Sequence, residues 1–209
     1  MSRQQYGMFP DEPPRPRSPR MYRLILSFAL CLFALLPFGQ GLAEPLVERV
    51  EPMAVDGRLL IDADVEFRLT DELRGFAEKG VPLYLTADLQ ITRSRWWWFD
   101  KTVVSTELTW RVQYNALTRQ WRVGTGDLSM PASTLDEALD LVRYIRGWDV
   151  ASTDELETDT QYEGQLRLRL DTARLARPFQ VDALNSKAWS LTTPWKNFTF
   201  SISVAAPRP

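Results

Sequence analysis

The chain contains no histidine, and its single cysteine, Cys31, lies inside an apolar run near the N-terminus. Without histidine, Ser-His-Asp and Cys-His catalysis, HExxH zinc sites and histidine-ligated haem are excluded. If the apolar run is removed on export, the remaining chain has no thiol and forms no disulfide. Its stability then depends on a hydrophobic core, which about 165 residues are enough to build.

Basic residues are too few for a nucleic-acid-binding protein. The chain has 25 Lys and Arg against 27 Asp and Glu, and residues 1–43 hold five of the Arg and two of the acids. The remainder therefore carries 20 basic and 25 acidic side chains, a net charge of −5. A phosphate backbone requires a basic surface, so no nucleic-acid partner is expected.

An export signal is predicted at residues 21–43. Arg20 and Arg23 precede an apolar run over 24–38, and Gly41-Leu42-Ala43 places small residues before a cleavage site. The run is shorter than the roughly 20 residues that span a bilayer. A cleaved signal peptide is therefore favoured over a retained anchor, and we expect a periplasmic protein with no membrane span after cleavage.

Residues 1–20 contain five Pro and scattered Arg, a composition typical of disordered chain. One interpretation is that translation begins at Met21, so that residues 1–20 are not part of the protein. The alternative is that they form a Pro-rich recognition segment in the cytosol. The first interpretation is favoured because Met21-Tyr22-Arg23 is already a sufficient start for the signal.

Residues 44–209 are predicted to form a single β-rich domain. Alternation of apolar and polar residues with period 2 is typical of strands with one wet face. It occurs over residues 59–69, 81–91, 108–114, 166–170 and 198–204. The connections from the second of these strands to the third, and on to residues 120–123, are short, which indicates an antiparallel meander.

Two helices are predicted between the strands. The first has Thr70 as its N-cap and ends at Gly80. The second begins with a capping box formed by Thr134 and Glu137 and ends at Gly147.

These elements predict a mainly β, antiparallel, sandwich-like domain with two short helices. Every predicted strand is amphipathic, which favours antiparallel sheets over buried parallel ones. The alternative is an α+β fold in which both helices pack on one face of an antiparallel sheet.

The aromatic-cationic segment, residues 93–99, is the most unusual part of the sequence. Odd positions of the preceding strand face inward, which places Trp97 inward and Trp96 and Trp98 outward. Arg93 and Arg95 also fall on the inward register, so the strand extends past the core or a bulge shifts it near Ser94.

Two interpretations of this segment remain. Its aromatic side chains cover the end of a hairpin and stack with the Arg side chains, which is the favoured interpretation. The functional interpretation is an exposed patch for a glycan, a lipid headgroup or a partner protein. Its binding residues would be Arg93, Arg95, Trp96 and Trp98.

Asp62, Asp64 and Glu66 share one face of a predicted strand and raise the question of paired catalytic carboxylates. Arg58 and Arg68 lie on the same face, so a solvated charged surface is favoured.

No metal and no cofactor are predicted. The segment 149–160 is read as an acidic loop, but it lacks the glycine and the ligand spacing of an EF-hand. Gly124-Thr125-Gly126-Asp127 lacks the third glycine of a dinucleotide-binding motif.

Several sequence blocks resemble an uncharacterised proteobacterial family whose members are named proline-rich signal peptide proteins. The blocks are Val81-Pro82-Leu83, Arg93 to Asp100, Tyr114 to Trp121, Thr134 to Leu139, Pro178 to Leu184 and Trp189-Ser190-Leu191. The resemblance implies a domain of unknown function and supplies no catalytic residues. Genes of this family often neighbour those of a ribosomal RNA methyltransferase and a membrane sensor kinase.

The sequence therefore favours a non-enzymatic periplasmic binding module, associated with a membrane sensor kinase or with envelope assembly. The alternative is a carbohydrate-active enzyme that uses carboxylates alone. Such an enzyme needs two acids about 5–10 Å apart in a cleft.

The first testable prediction concerns processing. The mature protein is expected to begin at Glu44, because Ala43 is the last residue of the cleavage site. The intact mass of protein recovered from the periplasm measures this directly. Full-length protein in the inner membrane would instead show that residues 24–38 are an anchor.

Overall fold

Two antiparallel sheets form the structure, a computed structural model that describes residues 44–93 and 101–202. The strands in these residues are β1 (Leu46–Val55), β2 (Arg58–Glu66), β3 (Leu83–Arg93), β4 (Lys101–Asn115), β5 (Gln120–Thr125), β6 (Leu128–Ala132), β7 (Tyr144–Ser152), β8 (Gln161–Leu170) and β9 (Lys196–Ser201). The helices are α1 (Asp71–Glu78), α2 (Leu135–Arg143) and α3 (Arg177–Asn185).

The smaller sheet has the strand order β1-β2-β7, and the larger one has the order β6-β5-β4-β3-β8-β9. Neighbouring strands are antiparallel in both sheets. The predicted mainly β, sandwich-like fold is therefore confirmed, and β3, β4 and β5 form the predicted meander. None of the helices in the described residues is long and apolar enough to cross a bilayer.

One hydrophobic core receives side chains from both sheets. Alternate residues of β2 are buried, and so are alternate residues of β3, as their sequence periodicity predicts. Leu59, Ile61, Leu85, Leu89 and Ile91 are at most 1% exposed. Full burial of such a side chain contributes about 1.5–3 kcal/mol, so this shared core is the main source of stability.

Helix α1 begins and ends as predicted. The Thr70 hydroxyl accepts a hydrogen bond from the backbone N–H of Leu73 (3.2 Å), which satisfies a free donor of the first turn. Gly80 follows the helix with φ +88°, a conformation that glycine adopts without strain.

Helix α2 begins at the predicted cap but ends earlier than predicted. Thr134 accepts a hydrogen bond from the N–H of Glu137 (3.1 Å), and the Glu137 carboxylate accepts one from the N–H of Ser133 (2.7 Å). The predicted end at Gly147 is wrong, because the helix stops at Arg143 and the next residue begins β7.

Gly147 instead forms a bulge in β7. Its φ is +59°, and the register of β7 against β2 shifts between Ile61 and Ala63. The N–H of Gly147 donates to the Asp62 carboxylate (2.7 Å). Some bulges and many helix ends place a glycine at a positive φ, so the same glycine is compatible with either structure.

Three further elements were not predicted: β1, β6 and α3. A two-residue turn joins β1 to β2, with φ +49° at Asp56 and +76° at Gly57, as a tight hairpin requires. A second two-residue turn, Gly126-Asp127, joins β5 to β6, with φ +53° at Gly126. The predicted acidic loop over 149–160 is also corrected, since its first residues belong to β7.

Gly164 of β8 provides the space in which Phe198 of β9 lies. A Cβ atom on Gly164 would lie 2.1 Å from the Phe198 ring. Phe198 stacks on Phe200 (6.1 Å between ring centroids), and Phe200 stacks on Tyr162 (5.5 Å). The edge strand β9 is thus anchored by an aromatic row that only a glycine at position 164 permits.

Gly164→Ala is therefore expected to destabilise the protein by about 1–3 kcal/mol, because the added methyl displaces the Phe198 ring. Thermal melting of the purified protein measures the change. Adding Phe198→Leu to Gly164→Ala should recover part of the loss, because the two side chains share one space.

Gly75→Ala in α1 is the matched control. No atom lies within 4 Å of a Cβ at this position, so the substitution should stabilise the helix by up to about 1 kcal/mol. Equal melting temperatures for Gly164→Ala and wild type would show that Phe198 does not occupy this space.

Candidate functional site

The outer face of the six-stranded sheet is polar and carries the candidate site. Cross-strand pairing places Asp88 of β3 between Glu107 of β4 and Arg167 of β8. Two residues along β3, on the same face, Thr86 lies between Thr109 and Arg169. Residues that pair in this way have Cβ atoms about 4.5–5.5 Å apart, so their side chains interact directly.

Asp88 is the centre of an ion-pair network on this face. Its carboxylate accepts hydrogen bonds from Arg167 Nε (2.8 Å) and Arg169 Nε (3.0 Å). Arg169 also lies 3.2 Å from the Asp171 carboxylate and 3.5 Å from that of Glu107. A single arginine therefore links the acids of three different segments.

Arg174 completes the network from a short 3-10 helix, Thr172–Arg174. It donates to Glu107 Oε1 (3.0 Å) and to Asp171 Oδ2 (3.2 Å). Three arginines and three acids thus neutralise one another on this part of the face.

The charged form of Arg169 is strongly favoured. Burial disfavours its charge, but the hydrogen bond to Asp88 and the negative charges of Asp88 and Asp171 outweigh burial and raise the pKa of Arg169. This arginine therefore remains a cation wherever the protein is folded.

A shallow depression of about 430 Å³ lies over the network. It is lined by Asp88, Glu107 and Trp195, and the Arg167 guanidinium lies 4.4 Å from the centroid of the Trp195 ring. Two carboxylates beside an indole are what a carbohydrate-active enzyme would use. Here, however, each carboxylate is hydrogen-bonded to arginine.

A larger groove of about 720 Å³ lies beside this depression, along β4, β5 and β6. We call it the arginine groove, because Arg111, Arg122 and Arg174 line it. Gly124 and Gly126 also line it and contribute no side chain. The groove is therefore open between the arginines and β6, the edge strand on this side of the sheet.

Of the predicted binding residues, the structure describes Arg93, which is the last residue of β3. Arg93 pairs with Lys101 of β4 and with Tyr162 of β8, and its guanidinium forms an ion pair with Glu157. Arg95, Trp96 and Trp98 lie outside the described residues. The register of β3 against β4 shifts between Ile91 and Thr92, before the position at which the sequence suggested a bulge.

The acids of β2 are held by partners on the smaller sheet. Asp62 accepts from Gly147, and Asp64 accepts from Arg49 Nε (2.9 Å) and from Arg146 Nη2 (2.5 Å). These contacts favour the interpretation of this face as a charged surface.

The Asp64 carboxyl is held in its ionised form. The hydrogen bond from Arg146 lowers the pKa of Asp64 most, burial raises it, and Arg49 lowers it further, so the net change is downward.

The acidic segment after β7 forms a 3-10 helix, Thr153–Glu155, capped by the Ser152 hydroxyl. Glu157 turns toward Arg93. In residues 44–93 and 101–202, no three acidic side chains converge in a way that could hold a metal ion.

Sequence reasoning did not find the ion-pair network or the arginine groove. Alternation placed Glu107, Arg111, Arg167 and Arg169 on wet faces, which is correct. The alternation of polar and apolar residues does not show which strands are neighbours, so the contacts of Asp88 could not be deduced from the sequence.

Residues 43–199 match the model of a protein family described as Domain of unknown function (DUF4390). No curated protein and no solved structure matches the chain. The comparison thus identifies a family but no activity.

Asp64→Asn is expected to remove a pH-dependent part of the stability. The pKa of Asp64 is lower in the folded than in the unfolded state, so its contribution is fully present above about pH 5. It is lost as the pH falls through about 4 toward the lowered folded-state pKa. The difference in unfolding free energy between wild type and variant should therefore shrink on acidification.

Chemical denaturation between pH 2.5 and 7 measures this difference. Arg146→Gln should reduce the pH dependence as well, since it removes the main cause of the lowered pKa. A difference between wild type and Asp64→Asn that is constant across this range would contradict the assignment.

Proposed function

We propose that this chain, which belongs to the DUF4390 family of unknown function, is a non-enzymatic binding module of the bacterial periplasm. The export signal expected at residues 21–43 supports the location. The aromatic-cationic segment supplies the contact with the partner. Its binding residues are Arg93, Arg95, Trp96 and Trp98.

A single observation carries the choice of binding over catalysis. Asp88 and Glu107 are neighbours in a surface depression, and arginines hold both as hydrogen-bond acceptors. A glycoside hydrolase needs one acid that donates a proton and a second carboxylate that is free to act on the substrate or on water. This pair serves neither role while Arg167, Arg169 and Arg174 occupy it.

The end of β3 and β4 is suited to hold a contact segment. Arg93 and Lys101 form the cross-strand pair on either side of residues 94–100, which places a cation at both ends of this connection. Arg93 is fixed by Glu157, and Tyr162, which pairs with Arg93 on β8, is buried. Both ends of the connection are therefore held by paired strands, which are more rigid supports than loops.

Two classes of partner fit this chemistry. Sugar rings and lipid headgroups interact with indole and guanidinium groups, so one class is a component of the envelope. The second is a protein, such as the periplasmic part of a membrane sensor kinase, in line with the gene neighbourhood of the family that the sequence resembles.

The test replaces Trp96 and Trp98 together with Ser and compares this variant with Trp97→Ala. Because surface changes usually stay within about 0.5 kcal/mol, the double variant should melt like wild type but lose the partner. Trp97→Ala should cost about 3–5 kcal/mol, since an inward Trp leaves a cavity. Leu117→Ser is the control, because Leu117 is 96% exposed in a different turn.

Binding is measured to peptidoglycan sacculi, to vesicles of phosphatidylethanolamine and phosphatidylglycerol, and to the periplasmic domain of the sensor kinase. If the double variant is destabilised as much as Trp97→Ala, the two side chains are structural. If wild type binds none of the three probes, or the double variant binds like wild type, the proposed contact is wrong.

A further inference from the structure

Two arginines of the arginine groove have no carboxylate partner among the described residues. There, Arg111 donates only to the side-chain oxygen of Gln113, a neutral acceptor. The Arg122 guanidinium makes no hydrogen bond or ion pair with any residue that the structure describes. Arg167, Arg169 and Arg174 are paired with acids, so the arginines without an acidic partner on this part of the face lie in the groove.

The register of β4 and β5 brings these two cations together. Arg111 pairs with Gly124, and Gln113 pairs with Arg122, so the arginines are diagonal neighbours on one face. The Cβ atoms of such neighbours are about 7–8 Å apart, within reach of long side chains. Two like charges at this spacing repel each other, and a bound anion removes the repulsion. The surplus also opposes the net negative charge of residues 44–209.

Glycines leave room for a ligand between the arginines and β6. A Cβ at Gly126 would meet no atom within 4 Å, and one at Gly124 would meet only backbone oxygens, at 3.7 Å and beyond. A ligand can therefore approach the backbone directly. The groove volume of about 720 Å³ lies within the usual range of small-molecule sites, about 300–1,000 Å³.

Arg111 is oriented before any ligand arrives. Gln113 accepts from Arg111 and donates through its own amide nitrogen to the carbonyl oxygen of Gly80 (3.3 Å). Gln113 is thus a positioning residue that ties the guanidinium to the end of α1. A guanidinium held in this way loses less freedom when it binds an anion.

We propose that the arginine groove binds the phosphate group of a small ligand through Arg111 and Arg122. A tetrahedral phosphate offers oxygens in several directions and carries about −1.5 to −2 charges near pH 7, so it can accept from two separate guanidinium groups and balance both of their charges. Asp127 also lines the groove, has no ion pair with the residues that the structure describes, and opposes the anion. The phosphate belongs to a soluble ester or to a lipid headgroup.

Binding is tested with protein purified from the periplasm of cells that express the full chain. Inorganic phosphate and glycerol 3-phosphate are titrated by calorimetry, and sedimentation compares phosphatidylglycerol with phosphatidylcholine vesicles. Arg122→Gln should weaken binding about tenfold or more, the usual effect of losing a charged hydrogen bond. Asp127→Asn should strengthen it, because a repelling charge is removed.

Arg68→Gln is the matched control. Arg68 is exposed, has no ion pair in the described residues and does not line the groove, so its loss should change the affinity less than about twofold. Equal losses in Arg122→Gln and Arg68→Gln would overturn the site in favour of a diffuse charge effect. Absence of binding to every probe would also overturn it.

The sedimentation experiment with vesicles identifies the source of the phosphate. Saturable binding of the soluble probes supports an ester, and binding to phosphatidylglycerol vesicles alone supports a headgroup. The variant that lacks Trp96 and Trp98 should keep its affinity for the phosphate probe, so the groove and the proposed partner contact succeed or fail separately. Melting curves confirm that Arg122→Gln is folded.

Discussion

The position of β3 between β4 and β8 is the constraint on which both the core and the polar face depend. Its inward residues lie at the centre of the shared core. The same pairing places Asp88 between Glu107 and Arg167 on the opposite face. Since successive side chains of a strand point to opposite faces, a slip of one residue would expose the core and bury the charges together.

Ion pairs between arginines and acids neutralise some parts of the surface and leave other parts charged. Most arginines of the outer faces are matched by acids, both around Asp88 and around Asp64. Exposed pairs of this kind add little stability each, but they orient side chains, and at Asp64 they also lower the pKa of the carboxyl. Arg111 and Arg122 have no acidic partner in the described residues and lie together in one groove, which is why the groove carries a specific inference.

The two proposed sites depend on different features. The aromatic-cationic segment follows the last cross-strand pair of β3 and β4, whereas the arginine groove lies along β4, β5 and β6. Membership of a family of unknown function assigns neither of them. The groove depends on side chains that the strands hold in fixed register, whereas the contact segment is argued from the sequence of residues 93–99 and from Arg93 and Lys101 on either side of residues 94–100.

Local patterns in the sequence determined most of the strands and the starts of two helices. Period-2 alternation located β2, β3, β4, β8 and β9, and the caps at Thr70 and Thr134 act within a single turn. Such signals need no knowledge of the rest of the chain. The mainly β, antiparallel class followed from them.

Tertiary structure decided everything that depends on distant residues. The bulge between Val47 and Arg49 breaks the alternation of β1, so its pattern is hidden until β2 pairs with it. Gly147 is compatible with a helix end and with a bulge, and pairing of β7 with β2 selects the bulge. Asp88 and Arg167 are 79 residues apart in the sequence, and only strand order brings them into contact. Periodicity specifies which face a side chain occupies, but the neighbours on that face are set by the register of whole strands.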